Sequence, residues 1–181
     1  MSSKRKMQNL SFKMMTWTFK VIDLIHNPQN KLENFHIGKG DVVVDYGCGP
    51  GRYLQKAAEL VGTEGKVYAV DVHPLAIDYV KEKIRKHKLD NVTPYLVENG
   101  TTQIESDSAD IIYALDMFHA VDGPETFFRE LDRISKKDGK LYLEDGHQSR
   151  EVSREKIALS NLWNIEEEID NILILTPESN N

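Results

Sequence analysis

The chain lacks several features that would place it in a specialised class of protein. Its 181 residues include a single cysteine, Cys48, which excludes an internal disulfide and a metal site built from several cysteines. No apolar run approaches the roughly 18 residues that indicate a membrane-spanning helix. The net charge of −6 argues against a nucleic-acid backbone as the main partner, because binding phosphates requires clustered lysine and arginine.

What is present is the composition of an ordinary globular protein. Hydrophobic residues make up 40% of the chain and charged residues 29%, and the length suffices for one domain with a substantial core. The chain starts with a basic stretch, but no apolar segment of a secretory signal follows it. We therefore expect one globular domain located in the cytoplasm.

The most informative segment is a glycine-rich loop at residues 45–51, which read Asp-Tyr-Gly-Cys-Gly-Pro-Gly. The loop follows an apolar run at 42–44 and precedes a helical pattern that opens at Arg52. Closely spaced glycines let the backbone turn sharply and approach a ligand without an intervening Cβ. A helix behind such a turn directs free N–H groups into the same space. The segment therefore predicts a loop that binds a nucleotide-type cofactor.

The spacing of the loop separates classes of cofactor. A dinucleotide loop reads G-x-G-x-x-G, whereas here the register is Gly47, Gly49 and Gly51, with Arg52 in the slot of the third glycine. No P-loop pattern is present. Asp45 beside the loop would repel a pyrophosphate but can pair with an ammonium group. The residues favour a nucleoside that carries a cation, and S-adenosylmethionine fits.

Strand-like and helix-like segments alternate along the rest of the chain, which predicts a parallel sheet covered on both faces. An amphipathic pattern at 7–26, ended by Pro28, makes 1–33 an N-terminal helical extension. This extension either packs on the sheet or covers the site as a lid, and 34–181 forms the domain. We predict strands at 42–46, 66–70, 92–97, 111–115 and 140–144, helices at 52–61, 74–87, 124–135 and 150–160, and a closing pair of strands at 162–169 and 172–175.

These segments together resemble the class I, Rossmann-like S-adenosylmethionine-dependent methyltransferases. Residues 45–51 are similar to the family's first motif, and Val70-Asp71 to the acid that ends its second strand. The segments 98–110 and 129–141 resemble the stretches that precede the fourth and fifth strands. The resemblance runs from about residue 34 to the C-terminus and is closest to the quinone-biosynthesis subgroup. It implies a three-layer α/β sandwich with a seven-stranded, mostly parallel sheet in the order 3-2-1-4-5-7-6, strand seven being antiparallel.

The resemblance also implies which residues bind the cofactor. In the loop these are Asp45, Gly47, Cys48, Gly49 and Gly51, where Cys48 serves as a small side chain that fits rather than as a nucleophile.

A second group of cofactor residues follows the next strands. Asp71 would accept both ribose hydroxyls, a role that NAD sites share, and Val72 would cover one face of the adenine. Glu98 occupies the position at which family members accept a hydrogen bond from the adenine amino group. Its neighbour Asn99 can take this role instead, so both residues are candidates. The main chain at Leu115 would meet the methionine end.

Three residues are candidates for catalysis beyond the fourth and fifth strands. His119 can accept a proton from an acidic hydroxyl or carbon, or it can simply pack on the turn. Asp116 and His147 would face the same end of the cleft, and either His147 or its neighbour Asp145 could orient a substrate. The segment 113–116 lacks the Asn/Asp-Pro-Pro-Tyr motif of enzymes that methylate exocyclic amines, which disfavours such a target.

Our interpretation is a methyltransferase that transfers the methyl group of S-adenosylmethionine to a small-molecule acceptor and releases S-adenosylhomocysteine. Arsenite as acceptor is disfavoured, because in this superfamily several cysteines hold the metalloid and this chain has one. Three alternatives remain: a non-catalytic or partner-dependent subunit of the same fold, an NAD-linked oxidoreductase, and an RNA or protein methylase that uses the basic run at 81–88. No metal is expected, and the oligomeric state is left open.

Overall fold

The computed structural model describes residues 28–178 and contains one seven-stranded sheet in the order β3-β2-β1-β4-β5-β7-β6. This order, and the antiparallel pairing of β7 with both of its neighbours, confirm the predicted fold class. The strands are β1 (Val42–Tyr46), β2 (Lys66–Asp71), β3 (Val92–Leu96), β4 (Ala109–Ala114), β5 (Ser135–Glu144), β6 (Trp163–Ile169) and β7 (Ile172–Pro177).

Two of the α-helices within residues 28–178 begin with a proline at the first helical position. Its fixed φ suits a helix start, and its missing N–H is not needed there. The first helix begins two residues later than predicted, because Arg52 and Tyr53 still belong to the loop and Tyr53 is the N-cap. The α-helices are α1 (Leu54–Val61), α2 (Pro74–His87), α3 (Pro124–Ile134) and α4 (Arg150–Ala158).

The sheet divides the apolar core into two clusters. Successive residues of β1 point to opposite faces, so that Val43 lies in one cluster and Val44 in the other. The first cluster includes residues of α1 and α2, and the second includes residues of α3 and α4; full burial of each large apolar side chain contributes about 1.5–3 kcal/mol. Representative members are Leu54, Val61, Val67 and Val80 in the first cluster and Val70, Ile112, Phe128, Leu131 and Ile157 in the second.

The sequence missed several details that depend on tertiary contacts. β5 begins at Ser135 rather than at residue 140, because Ser135 pairs with Ala109 before the register of β4 and β5 shifts. Two 3-10 helices, Pro28–Asn34 and Phe118–Ala120, are too short to produce a helical periodicity.

The predicted helix at 7–26 lies outside the described residues. No helix within 28–178 is long and apolar enough to cross a membrane.

The segment before β1 packs against the domain. Leu32 and Phe35 are buried in the first core cluster, and the Phe35 ring stacks on Tyr142 of β5 with 4.2 Å between ring centroids. Residues at the predicted boundary between extension and domain are thus part of the folded core.

Candidate cofactor and acceptor site

A cavity of about 1180 Å³ lies beside the carboxyl ends of β1, β2 and β4. In open parallel sheets ligands bind at these ends, near the point where the strand order reverses. Here β1 lies between β2 and β4, so that the reversal falls at the glycine loop. Of the predicted site residues, Gly51 and Glu98 do not line this cavity. The other eleven do: Asp45, Gly47, Cys48, Gly49, Asp71, Val72, Asn99, Leu115, Asp116, His119 and His147.

The glycine loop has the left-handed backbone that its sequence predicts. Gly47, Gly49 and Gly51 have φ values of 81°, 51° and 73°, which glycine adopts without steric cost. A Cβ at Gly47 would lie 2.7 Å from Met117 Cγ, whereas a Cβ at Gly49 would meet no atom of the described residues within 4 Å. Gly49 therefore gives a ligand close access to the backbone.

Asp71 joins the end of β2 to this loop. Its Oδ2 accepts a 2.9 Å hydrogen bond from the Gly49 amide, and its Oδ1 accepts a 2.7 Å bond from the His73 amide. Burial raises the pKa of Asp71, and these backbone donors partly offset the effect. Each carboxylate oxygen can accept a further hydrogen bond, which suits a ligand with paired hydroxyls.

The β2 and β3 side of the cavity has features that suit a flat apolar ring. Val72, next to Asp71, is 72% exposed although it is apolar, and it lines the cavity. After β3, Glu98 pairs through its backbone with Thr101, while Asn99 adopts a φ of 55° and lines the cavity. Of the two candidates for the adenine contact, Asn99 is the one that the structure places at the cavity wall.

Asp45 is the penultimate residue of β1 and is 2% exposed. Its Oδ2 has no hydrogen-bond partner among the described residues, and neither has the hydroxyl of Tyr113, its register partner on β4. Desolvation raises the pKa of Asp45 to about 8, although the nearby Tyr113 hydroxyl lowers it in part. A buried acceptor of this kind suits a cationic group of a ligand.

The β4 and β5 side of the cavity carries the candidate catalytic residues. Asp116 adopts a φ of 54°, and its Oδ1 lies 3.8 Å from Nε2 of His147. The His147 side chain is 81% exposed, whereas the ring of His119 packs edge-on against it with 4.8 Å between centroids. The structure therefore places the three predicted side chains next to one another at one end of the cavity.

Gly146 permits the position of His119. Its φ is 68°, and a Cβ at this residue would overlap His119 Nδ1. That nitrogen is buried and has no hydrogen-bond partner among residues 28–178. The ring is thus held in place by packing.

Glu144 is a site-supporting residue that the sequence did not indicate. This buried side chain at the end of β5 accepts from the Asp116 amide at 3.0 Å and from Lys31 Nζ at 2.7 Å, and also from Asn171 Nδ2. It thereby holds the turn after β4 against the segment before β1 and the β6–β7 turn. Its place at the end of an apolar strand offers no sequence signal for these long-range contacts.

Other cavity residues also escaped prediction, because they lie in loops and helix starts without a motif. They include Arg52, Tyr53, His73, Met117, Val121, Thr126 and Phe127. Within residues 28–178 no group of three or more His, Cys, Asp or Glu side chains is arranged to hold a metal ion.

Comparison with known proteins identifies the class to which this fold and cavity belong. Residues 37–174 match the model of a family described as a methyltransferase domain. Because the match covers most of the chain, the protein belongs to this family of methyltransferase domains.

Individual relatives are more distant. Arsenite methyltransferase of Mus musculus is 28% identical over an alignment of 133 positions that covers 67% of this chain and 35% of the relative. Aklanonic acid methyltransferase DauC of Streptomyces sp. is 32% identical over 73 residues, 40% of this chain and 33% of the relative. The chain thus spans about a third of the length of these curated relatives.

Solved structures agree with the fold. A SAM-dependent methyltransferase from Aquifex aeolicus superimposes with a TM-score of 0.73 at 24% identity, covering 83% of this chain and 89% of that chain. A likeness at this identity supports the fold and leaves the acceptor open.

Proposed function

We propose that the protein binds S-adenosylmethionine in this cavity and transfers its methyl group to a small-molecule acceptor. One observation carries the proposal: the loop with Gly47 and Gly49 is joined through the Gly49–Asp71 hydrogen bond to a ribose-type acid, beside a buried Asp45 whose Oδ2 has no hydrogen-bond partner among the described residues. When bound, S-adenosylmethionine would supply a methyl group activated by its sulfonium: the acceptor bonds to the methyl carbon, the carbon–sulfur bond breaks, and S-adenosylhomocysteine leaves.

The residues of the chain fit this ligand from one end of the cavity to the other. Val72 and Asn99 would contact the adenine, and Asp71 the ribose hydroxyls. Asp45 would pair with the ammonium of the methionine end, because its buried oxygen favours a cation. The main chain at Leu115 borders the same end. In this arrangement the protein mainly aligns the reacting groups and excludes water.

The acceptor would enter on the β4 and β5 side, where Asp116, His119 and His147 lie. An acceptor that arrives protonated must lose a proton as the new bond forms, and a ring nitrogen of His119 can take it. Asp116 and His147 would orient the acceptor and stabilise the charge on the imidazole. A neutral or cationic acceptor is favoured over an anion, because the carboxylate of Asp116 lines the acceptor side of the cavity.

Relatives include enzymes named for arsenite and for aklanonic acid, both of them small acceptors. The chain's single cysteine, Cys48, is buried, so that it offers no set of thiols for a metalloid. We therefore place the acceptor among organic small molecules. The location in the cytoplasm stays a prediction, which cell fractionation with an antibody would test.

Calorimetric titration with S-adenosylmethionine, S-adenosylhomocysteine and NADH tests the cofactor. We expect micromolar binding of the two adenosyl ligands and none of NADH. A library of phenols, enols, thiols and amines, screened for release of S-adenosylhomocysteine, then tests the acceptor class. Binding without turnover in every case would favour a partner-dependent subunit, and no adenosyl binding by folded protein would refute the proposal.

A further inference from the structure

Asp45 differs from every other buried acid in residues 28–178. Glu130 accepts from Arg133, Glu144 from Lys31, and Asp145 from Arg150. Asp71 accepts from two backbone amides. Asp45 is the least exposed of them, and its Oδ2 has no hydrogen-bond partner among the described residues.

An ionised carboxylate in such a place is costly. Removing a charge from water without a partner costs several kcal/mol, and a protein avoids the cost by keeping the group neutral. The packing of Asp45 therefore favours the protonated acid whenever the cavity holds no cation.

The groups around Asp45 reinforce this state or only weakly oppose it. The negative charge of Asp71 at the end of β2 raises the pKa further, whereas the positive charge of Lys83 on α2 lowers it by a smaller amount. The Tyr113 hydroxyl on β4 lowers the pKa in part, and Cys48 in the loop and Tyr53 at the start of α1 are buried neutral neighbours. Desolvation dominates and raises the pKa of Asp45 to about 8.

We propose that Asp45 holds a proton in the cofactor-free protein and releases it to solvent when the ammonium of the adenosyl cofactor binds beside it. The inference rests on the proposed function, since it assumes that the methionine end of the cofactor lies at Asp45. The neutral carboxylic acid of Asp45 and the ammonium of the cofactor become a carboxylate–ammonium pair, and the proton of Asp45 passes to the buffer. Cofactor binding and proton release are thereby one coupled event.

The coupling makes cofactor affinity depend on pH with a definite sign. Below the pKa of Asp45 in the free protein, binding must expel a proton, so the affinity rises as the pH rises. The rise approaches about tenfold per pH unit while the acid is fully protonated, and it levels off once the free protein is ionised. Between pH 6 and 7 the ammonium of the ligand itself stays largely protonated.

Calorimetry in buffers of different ionisation enthalpy measures the protons released on binding. With S-adenosylhomocysteine at pH 6.5, we expect close to one proton released by the wild type and markedly less by Asp45→Asn, which cannot titrate. Asp78→Asn removes an exposed carboxylate on α2 and serves as the matched control. This variant should release as many protons on ligand binding as the wild type does. Tyr113→Phe removes the hydroxyl that lowers the pKa of Asp45, so its affinity should keep rising to a higher pH.

A second measurement does not depend on the cofactor. Infrared difference spectra between the free wild type and Asp45→Asn report whether the carboxyl is protonated at pH 7, and we expect the neutral acid. An ionised Asp45 in the free protein, or equal proton release by wild type and Asp45→Asn, would overturn the inference. A protonated Asp45 in a protein that binds no adenosyl ligand would instead refute the proposed function and the coupling with it.

Discussion

The backbone amide of Gly49 donates a 2.9 Å hydrogen bond to Oδ2 of Asp71, and this bond ties the glycine loop to the end of β2. Asp71 thus has a structural task as well as the proposed contact with the ribose. The second bond, from the His73 amide to Oδ1, extends the same support to the start of α2. Substitution of this one residue should therefore affect stability and ligand affinity together.

Asp71→Ala should destabilise the protein by about 1–3 kcal/mol, because two backbone donors lose their acceptor. Its affinity for S-adenosylhomocysteine should fall at least about tenfold through the lost hydroxyl contacts. Urea denaturation and calorimetry measure the two effects. Asp78→Ala, on the exposed face of α2, should change neither, and full affinity in Asp71→Ala would exclude Asp71 from the ribose site.

The Gly49→Ala variant distinguishes the stability lost through backbone strain at positive φ from the ligand affinity lost through a Cβ in the cavity. Gly40 is a matched position: both residues have positive φ, and an added Cβ meets no described atom within 4 Å at either. Each alanine should therefore cost about 1–2 kcal/mol of stability. Gly49 lines the cavity and Gly40 does not, so that only Gly49→Ala should weaken binding of S-adenosylhomocysteine. Equal affinities in the two variants would place the ligand away from the loop.

Glu144→Ala should destabilise the protein by about 2 kcal/mol, because the Asp116 amide and Lys31 lose a buried acceptor. Urea denaturation measures the loss. Glu59 is a suitable control, since its side chain is 73% exposed in the ion pair with Lys56 and ion pairs at the surface contribute at most about 1 kcal/mol. A loss in Glu144→Ala no larger than in Glu59→Ala would show that the contacts of Glu144 do not support the turn.

The parts of this structure that could be predicted from the sequence are those encoded locally. The spacing of glycines after an apolar strand predicted the loop around Gly49. Helix α2 begins at Pro74 and ends at His87, as expected. The closing strands turn at Asp170, as predicted, where φ is 49°. The strand order came from the family resemblance, because periodicity indicates strands but not their neighbours.

The parts that escaped prediction depend on contacts between distant segments. The roles of Glu144 and Gly146 arise only when β4, β5 and the segment before β1 meet. The choice between Glu98 and Asn99 likewise depends on a turn in which the backbone of Glu98 pairs with Thr101. Local sequence contains no signal for any of these arrangements.

His119→Asn should lower kcat by about 100-fold or more for a protic acceptor found in the screen, the usual contribution of a positioned base. The affinity for S-adenosylhomocysteine should stay within about twofold, because His119 lies on the acceptor side. His36→Asn tests a histidine outside the cavity, where Nδ1 lies 3.3 Å from the Tyr142 hydroxyl. If kcat and its pH profile are the same in His119→Asn and the wild type, His119 is a packing residue.

The buried Asp45 should also make the stability of the cofactor-free protein depend on pH. The pKa of this acid is about 8 in the folded state and about 4 in the unfolded state. Between these values the folded protein binds more protons than the unfolded chain, so that the free energy of unfolding falls as the pH rises. Asp45 should contribute a fall of about 1 kcal/mol per pH unit over this window.

Asp45→Asn lacks this titration, and its stability relative to the wild type should therefore increase steadily from pH 5 to pH 8. Urea denaturation of both proteins at several pH values measures the difference, in which the titration of all other groups cancels. Saturating S-adenosylhomocysteine should flatten the trend, because the bound ammonium stabilises the ionised carboxylate. A difference that stays constant from pH 5 to pH 8 would mean that Asp45 is already ionised in the folded protein, despite its burial.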